Sequence, residues 1–464
     1  MRPILYTLIA LLSLSTLVSC GEDRSGEYYA LVEEDHWIEQ TMKEHYLWYD
    51  KMPVPKETDY FAQPAEFLKK ILFAGGDGIK ADKYSYVEMK DTAAAARSFL
   101  QRSSTYGFDF ELIADPLGGT THIFARVLFV LPNSPASEAG LQRGDWISAV
   151  GKNQITKENY GYLMSGGATT FARESIIASG DDFVWTAVDS LAISAARPVE
   201  MNPFYINKVY QADGKKIAYM MYNEFATSAR NEAGDTEYAT LMKQIFATFK
   251  TENPDAFILD LRYNPGGYLT CAQELAGLLA PTTALGKNFC TLEYNAITTP
   301  QTTAYNFDPA LAAQNLDLKK IVVLTTGFTA SASEAVINCL IPYMGKENVV
   351  VMGETTEGKN VAMQPYTEDR FNFIIWPIVA YVLNSEGNAN YADGIVPTYQ
   401  LNERGLISPL LPLGNPDELF LRNAISYITT GTVPDAVTAT AASQSPRVLY
   451  NSMNRRKMAG VILP

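Results

Sequence analysis

The sequence predicts a multidomain α/β protein: a helical module, then a β-rich block, then a larger block in which buried strands alternate with helices. Three observations carry this. From residue 204 to about 430, the runs IAYMMYNEF (217–225), AFILDLR (256–262), KIVVLTT (320–326) and NVVVMG (348–353) are apolar and β-branched, as strands buried on both faces of a parallel sheet require. Between the first two, TEYATLMKQIFATFK (236–250) sets Tyr238, Leu241, Met242, Ile245 and Phe249 on one helical face. From about 100 to 200 the pattern changes to short β-rich runs broken by Gly and Pro turns, as in THIFARVLFVLPNSPASEAGLQRGDWISAVG.

Residues 25–98 read as the helical module. YYALVEEDHWIEQTMKEHYLWYDKM places Leu31, Trp37, Met42 and Tyr46 among charges at helical spacing, and Pro53 and Pro55 end it. At the other end, residues 431–464 form a tail rich in Ala, Thr and Ser, expected to carry little order of its own, with an apolar ending, VILP, able to dock.

The first nineteen residues leave the fold argument. MRPILYTLIALLSLSTLVSC has one Arg and then an apolar stretch from Ile4 to Val18, too short to span a bilayer comfortably and suited to a secretory signal. Leu17-Val18-Ser19-Cys20 resembles the bacterial lipobox, which implies lipidation at Cys20 and a place in the cell envelope, on the periplasmic or outer-membrane face. Acyl chains would anchor the protein stably, since each buried CH₂ contributes about 0.8 kcal/mol.

Composition excludes several functions. Net charge is −14 and no dense Lys/Arg run reverses it locally, so nucleic acid is not an expected partner. Beyond Cys20, the cysteines Cys271, Cys290 and Cys339 lack metal-type spacing and read as packed thiols. His36, His45 and His122 lie far apart in sequence, which argues against a His-based metal site; no metal or organic cofactor is expected.

Candidate chemistry begins at TTGFTASASEAVINCL (325–340), where a buried strand gives way to a helix. Ser331 falls at the helix entrance, where unsatisfied N–H groups can stabilise an oxyanion beside a hydroxyl nucleophile. Alternatively, Ser331 or Ser333 only caps the helix, with Glu334 in its first turn. A nucleophilic serine needs a base, and no histidine follows residue 122, so Lys359 in NVVVMGETTEGKNVAMQ becomes the candidate. Lysine serves as a base only when neutral; moving its pKa from about 10.4 to about 7.5 costs roughly 4 kcal/mol, which burial can supply. Glu354 and Glu357 would have to point away. The same stretch nearly matches the phosphate-binding loop G-x4-G-K-[ST], but Asn360 replaces the Mg²⁺-holding hydroxyl and two glutamates would face the phosphates. Asp260 to Gly267 ends a buried strand in a Pro-Gly-Gly turn, at the carboxyl edge where parallel sheets build their sites. There Gly266 either supplies an oxyanion donor or simply ends the strand.

The β-rich block carries a glycine-containing loop, Tyr106-Gly107-Phe108-Asp109-Phe110, and a later series of turns, Ser134-Pro135-Ala136, Ala139-Gly140-Leu141 and Gly144-Asp145-Trp146-Ile147. Over residues 100–200 it resembles the PDZ domain of bacterial processing proteases. The resemblance implies that a peptide adds a strand to the sheet edge, its carboxylate resting on backbone N–H groups of the loop formed by Tyr106, Gly107, Phe108, Asp109 and Phe110. The ordered set Asp82-Lys83-Tyr84-Ser85-Tyr86, Asp260 to Gly267, Thr329 to Glu334, Gly353 to Lys359 and Asp393 to Pro397 resembles the C-terminal processing, or tail-specific, serine peptidases. For residues 204–430 that family implies a ClpP/crotonase-like α/β protease domain. It also implies Ser331 as nucleophile, Lys359 as base, and the amides of Gly266 and Ala332 as oxyanion hole. Glu334 and Gln364 are candidate orienting groups, and the Gln that the family carries four residues after its lysine is here Met363. The expected protein is an exported, lipid-anchored serine endopeptidase acting on polypeptides, without cofactor. The alternative is a lipoprotein that binds peptides through its PDZ-like block without cutting them.

Overall fold

The computed structural model describes residues 25–90, 104–179, 182–200, 202–228, 234–403, 410–436, 447–456 and 461–463; the expected signal segment and Cys20 lie outside them. Helix α1 (Ser25–His45) and helix α2 (Pro64–Ile71) form the N-terminal module. Ile38 and Met42, one helical turn apart, face Phe67, Leu68 and Ile71 of α2. A short strand, β1 (Tyr86–Met89), then leaves the module. Among the described residues no helix is long and apolar enough to cross a membrane.

The β-rich block contains β2 (Phe108–Ala114), β3 (Ile123–Val130), helix α3 (Pro135–Glu138), β4 (Trp146–Val150), β5 (Asn153–Gln154), β6 (Thr169–Ser179) and β7 (Asp182–Ile193). Phe110 and Leu112 of β2 alternate toward a core shared with Val127, Ile147 and Phe171, while Ile113 turns to the other face, where it joins Phe124 and Trp146, so β2 is buried on both sides. Ser134 caps α3 by accepting from Ser137 N–H at 3.1 Å, with Pro135 at the first helical position where its missing N–H costs nothing.

The third block opens with an antiparallel pair, β8 (Phe204–Ala212) and β9 (Lys215–Tyr222), and continues through α4 (Glu237–Glu252) into β10 (Ala256–Asp260). Next come β11 (Gly267–Tyr268), α5 (Leu269–Leu279), β12 (Asn288–Tyr294), β13 (Thr302–Asn306), β14 (Ile321–Thr325), α6 (Ala332–Met344) and β15 (Val349–Gly353). The chain then forms β16 (Val361–Met363), β17 (Tyr366–Thr367), β18 (Phe373–Trp376), β19 (Ile378–Asn384), β20 (Tyr399–Gln400) and α7 (Leu419–Thr430). It ends in β21 (Val448–Asn451) and β22 (Val461–Ile462).

One six-stranded sheet runs β20-β15-β14-β10-β9-β8, parallel from β9 to β20. Its apolar runs split by alternation. Phe257, Leu259, Ile321 and Val323 face α4, α5 and α6, while Ile258, Val322, Leu324 and Val350 face α7. Burial on both faces explains why these strands read as continuous apolar runs. A second sheet, β11-β22-β16-β19-β12-β13, packs on the first through α5 and α6, and its β16 and β19 also receive the N-terminal module. The tail departs from expectation in part. Residues 448–451 pair with β2, a pairing so distant in sequence that local composition carries no sign of it, while residues 461–462, within the apolar ending expected to dock, enter the second sheet.

Candidate active site

Three loops meet at the carboxyl edge of the parallel sheet: 261–267 after β10, 326–331 after β14 and 354–359 after β15. Threonines and Asn264 stitch them together. Thr329 Oγ1 donates to Leu261 O at 2.8 Å, Ala330 N–H to Asn264 O at 3.1 Å, and Glu357 N–H to Thr329 O at 3.0 Å. Beneath them Arg262, fully buried, bridges Asp260 and Glu418, each at 2.7 Å. Arg143 of the β-rich block reaches the same cluster through Glu403 and through Tyr263 Oη at 2.7 Å.

Ser331 sits at the N-terminus of α6 with φ 61° and ψ −111°, a left-handed backbone that a serine adopts only when its surroundings impose it. Ser333, the other hydroxyl of the turn, is engaged structurally, donating to Asn264 O at 3.2 Å. Gly266 lies against Ser331: a Cβ there would stand 2.9 Å from Ser331 Cβ and 3.1 Å from Ala332 N, and its own φ is +108°. The turn therefore requires glycine. Ala332 N–H is the first helical amide, one of those an α-helix leaves without an intrahelical acceptor. The Gly266 N–H does not point to an open oxyanion position. It donates to Asn264 Oδ1 at 2.9 Å, an Asx-type turn that the sequence reading missed although Asn264 stands two residues ahead of the glycine.

Glu334 holds the serine turn and the lysine loop in one place. Its Oε2 accepts from Ser331 N–H at 2.7 Å and from Lys359 N–H at 2.9 Å, while Oε1 accepts from Gly358 N–H at 2.7 Å and from the Thr356 hydroxyl. Sharing one acceptor oxygen brings the two backbones within two hydrogen-bond lengths of each other. Complete burial pushes this carboxyl up to about 7, against the four donors, which favour its charged form.

Lys359 is 1% exposed. Its Nζ lies 4.7 Å from the centre of the Tyr84 ring and 3.7 Å from Met363 Sδ. Burial pulls the amine down to about 8, with Asp82, Glu357 and Glu334 opposing through their negative charge. Glu357 is drawn aside by Lys83 at 2.8 Å, and the Glu354 carboxylate lies by Gly327 N–H. Met363, four positions after the lysine, is the residue whose sulfur meets the amine, and among the described residues no hydrogen bond joins Gln364 to it. Tyr84 is the residue whose place sequence reasoning overlooked. It belongs to a quoted motif, yet only the fold brings its ring onto the lysine, and its buried hydroxyl has no hydrogen-bond partner. A cleft of about 470 Å³ opens beside Gly358 and Asn360, with Lys83, Tyr84, Asn390 and Asp393 also in its lining.

The loop expected to seat a peptide carboxylate is occupied from within. Gly107 N–H donates to Thr105 Oγ1 at 3.0 Å and Phe110 N–H to Ser452 Oγ at 2.8 Å, while the Tyr106 hydroxyl donates to Gly167 O. Phe108 and Phe110 point into the block's own core, and Asp109 Oδ1 accepts from Ser452 Oγ at 2.7 Å. Elsewhere, Cys271, Cys290 and Cys339 are free, buried thiols.

A hydroxyl at a helix N-terminus, a buried amine at the neighbouring strand end and a glycine turn against the hydroxyl form a site of the kind that serves acyl transfer. Residues 216–401 match the profile of peptidase family S41 and residues 33–86 that of the peptidase S41 N-terminal domain. A solved chain from Bacteroides fragilis, designated an S41 protease, is 34% identical with a TM-score of 0.75, the match covering 85% of this chain and 97% of that one. The protein belongs to peptidase family S41. It is also similar to carboxyl-terminal-processing proteases of Picosynechococcus sp., 27% identical over 244 residues, and Synechocystis sp., 25% identical over 309. Those matches cover 51% and 66% of this chain, and the chain spans 51% and 65% of the two relatives' lengths.

Proposed function

We propose that the protein is a serine endopeptidase of the carboxyl-terminal-processing type, exported and held in the cell envelope by lipid on Cys20, that hydrolyses peptide bonds of unfolded or tail-presented polypeptides. The observation that carries the reading is the buried Lys359 amine, its proton loosened by burial and its backbone tied through Glu334 to that of Ser331. Neutral Lys359 Nζ takes the Ser331 proton as Oγ bonds to the scissile carbonyl carbon. The Ala332 amide, joined by Gly266 N–H if the Asn264 turn releases it, stabilises the oxyanion. Collapse breaks the C–N bond, the leaving amine takes the proton from Lys359, and water then hydrolyses the acyl-serine with the same amine as base. The β-rich block, PDZ-like in its motifs, presents extended polypeptide to this site.

Incubating purified protein with an unfolded polypeptide library and mapping cut ends by mass spectrometry tests the reading. Wild type is expected to generate new termini that vanish in Ser331→Ala and Lys359→Ala; cuts persisting in both variants would overturn it. Cys20→Ser is expected to move the protein from the membrane fraction to the aqueous one, and an unchanged distribution removes the anchor.

A further inference from the structure

Ser331 is 0% exposed and Lys359 1%, although both would have to meet a polypeptide. A piece of the chain's own tail lies between the two strands that leave the glycine and lysine loops. In the second sheet β22 lies between β11 and β16, parallel to both, with Val461 level with Gly267 and Ala362 and Ile462 level with Tyr268 and Met363. Leu463 N–H donates to Met363 O at 3.2 Å. Among the described residues no other strand joins β11 to the rest of that sheet, so without β22 a gap one strand wide separates them. One wall of the gap begins next to Gly266, the other two residues after Lys359. The parallel register turns the N-terminal end of β22 toward those residues.

The same segment fills the second place expected to take a peptide. Strand β21 pairs antiparallel with β2, Leu112 opposite Tyr450, and so caps the sheet edge beside the loop 106–110. Ser452 and Met453 are buried there, and Tyr450 packs on Tyr160 with ring centres 4.6 Å apart.

We propose that residues 447–456 and 461–463 are an intramolecular ligand of the substrate channel: β21 anchors the segment on the β-rich block, and β22 fills the gap between β11 and β16 that takes an extended, apolar stretch of substrate as an added strand. The two parts differ in hold. Residues 448–453 combine a strand with buried side chains, whereas β22 is two residues long, too short to persist without its anchor. Tethering makes up for that weakness, because a linked ligand acts at an effective concentration near the millimolar range. Val461, Ile462 and Leu463 are all apolar, and Leu463 packs into the main core cluster, which marks the side-chain character the channel accepts. Incoming polypeptide adds its backbone to the same two strand edges and displaces β22.

This inference rests on the peptidase reading for the identity of the channel, and not for its occupancy. The test uses the full chain. Ile462→Asp and Leu463→Pro, the latter removing the amide that bonds Met363, are expected to lower KM for an extended apolar reporter peptide about tenfold with kcat unchanged, the pattern of a competitor occupying most of the channel. In a Ser331→Ala background the same substitutions tighten binding of a fluorescent peptide of sequence 457–463 about tenfold, read by anisotropy. As a measurement that keeps β22 paired, Ala362→Cys with Val461→Cys, at paired positions, locks β22 in place when oxidised. Peptide binding is then lost and reductant restores it. Unchanged KM and affinity in the tail variants, or full peptide binding by the oxidised lock, overturns the inference while leaving hydrolysis by wild type untouched. Binding that follows the tail in protein that never cleaves the reporter keeps the inference and sinks the peptidase reading instead.

Discussion

At the scale of single residues, Lys359 carries a cost that its environment makes measurable. Its folded pKa of about 8 lies below the unfolded value of about 10.4, so below pH 8 the native state holds a buried charge that the unfolded chain leaves in water. Stability therefore rises as pH climbs from about 8 to 10.4, the window in which the unfolded chain binds the extra proton. Lys359→Met is expected to be more stable than wild type by roughly 3 kcal/mol at pH 6, the gap closing by about pH 10.4, as measured by urea unfolding. Activity runs the other way. With neutral lysine as base, kcat/KM falls about tenfold for each pH unit below 8 and levels off above it; a profile flat from pH 6 to 9 would rule the lysine out as base. Gly266→Ala puts a methyl group 2.9 Å from Ser331 Cβ at φ +108°. Its expected effect is a loss of at least about 100-fold in kcat, with a stability cost of about 1–3 kcal/mol.

Among elements, the parallel strands were legible because burial on both faces leaves an unbroken apolar run, and helix α4 because Tyr238, Met242 and Phe249 keep its period. That Ser331 and Lys359 share one edge was legible for a different reason: strand-to-loop transitions mark the carboxyl edge, where such sheets gather their functional groups. Three features were not. Asn264 holding the Gly266 amide is a side-chain choice within a turn, Tyr84 reaches Lys359 only through packing of the N-terminal module, and β21 and β22 pair across the length of the chain. The tail's small polar composition argued for looseness, but a strand that completes someone else's sheet needs acceptors and donors in register more than it needs β-propensity. Asn264→Ala isolates the turn. It frees the Gly266 amide but forfeits the bond from Asn264 Nδ2 to Tyr222 O at 2.9 Å, so stability is expected to fall by about 1–2 kcal/mol in urea unfolding.

Across the whole molecule, the β-rich and catalytic blocks share a buried ionic cluster. Arg143 brings a charge from one to Glu403 and Tyr263 of the other, beside the Asp260–Arg262–Glu418 group under the glycine turn. Removing one partner strands the rest in a dry site: Arg143→Leu is expected to lower stability by about 3–5 kcal/mol, and Arg143→Lys to recover only part, since a single ammonium cannot reproduce a forked donor. The N-terminal module sets the surroundings of Lys359. Its Asp82 accepts from the Tyr46 hydroxyl at 2.8 Å and from Tyr84 N–H at 2.8 Å, and this fixes the aromatic ring above the catalytic-block amine. Dissecting the chain at residue 204 would thus yield a fragment whose sheet and serine turn are complete in sequence but whose lysine is wetted and fully protonated at neutral pH. Proton affinity at Lys359 is a property conferred by the far end of the polypeptide, so deletion mapping by activity alone would not separate loss of this burial from loss of a group that reacts.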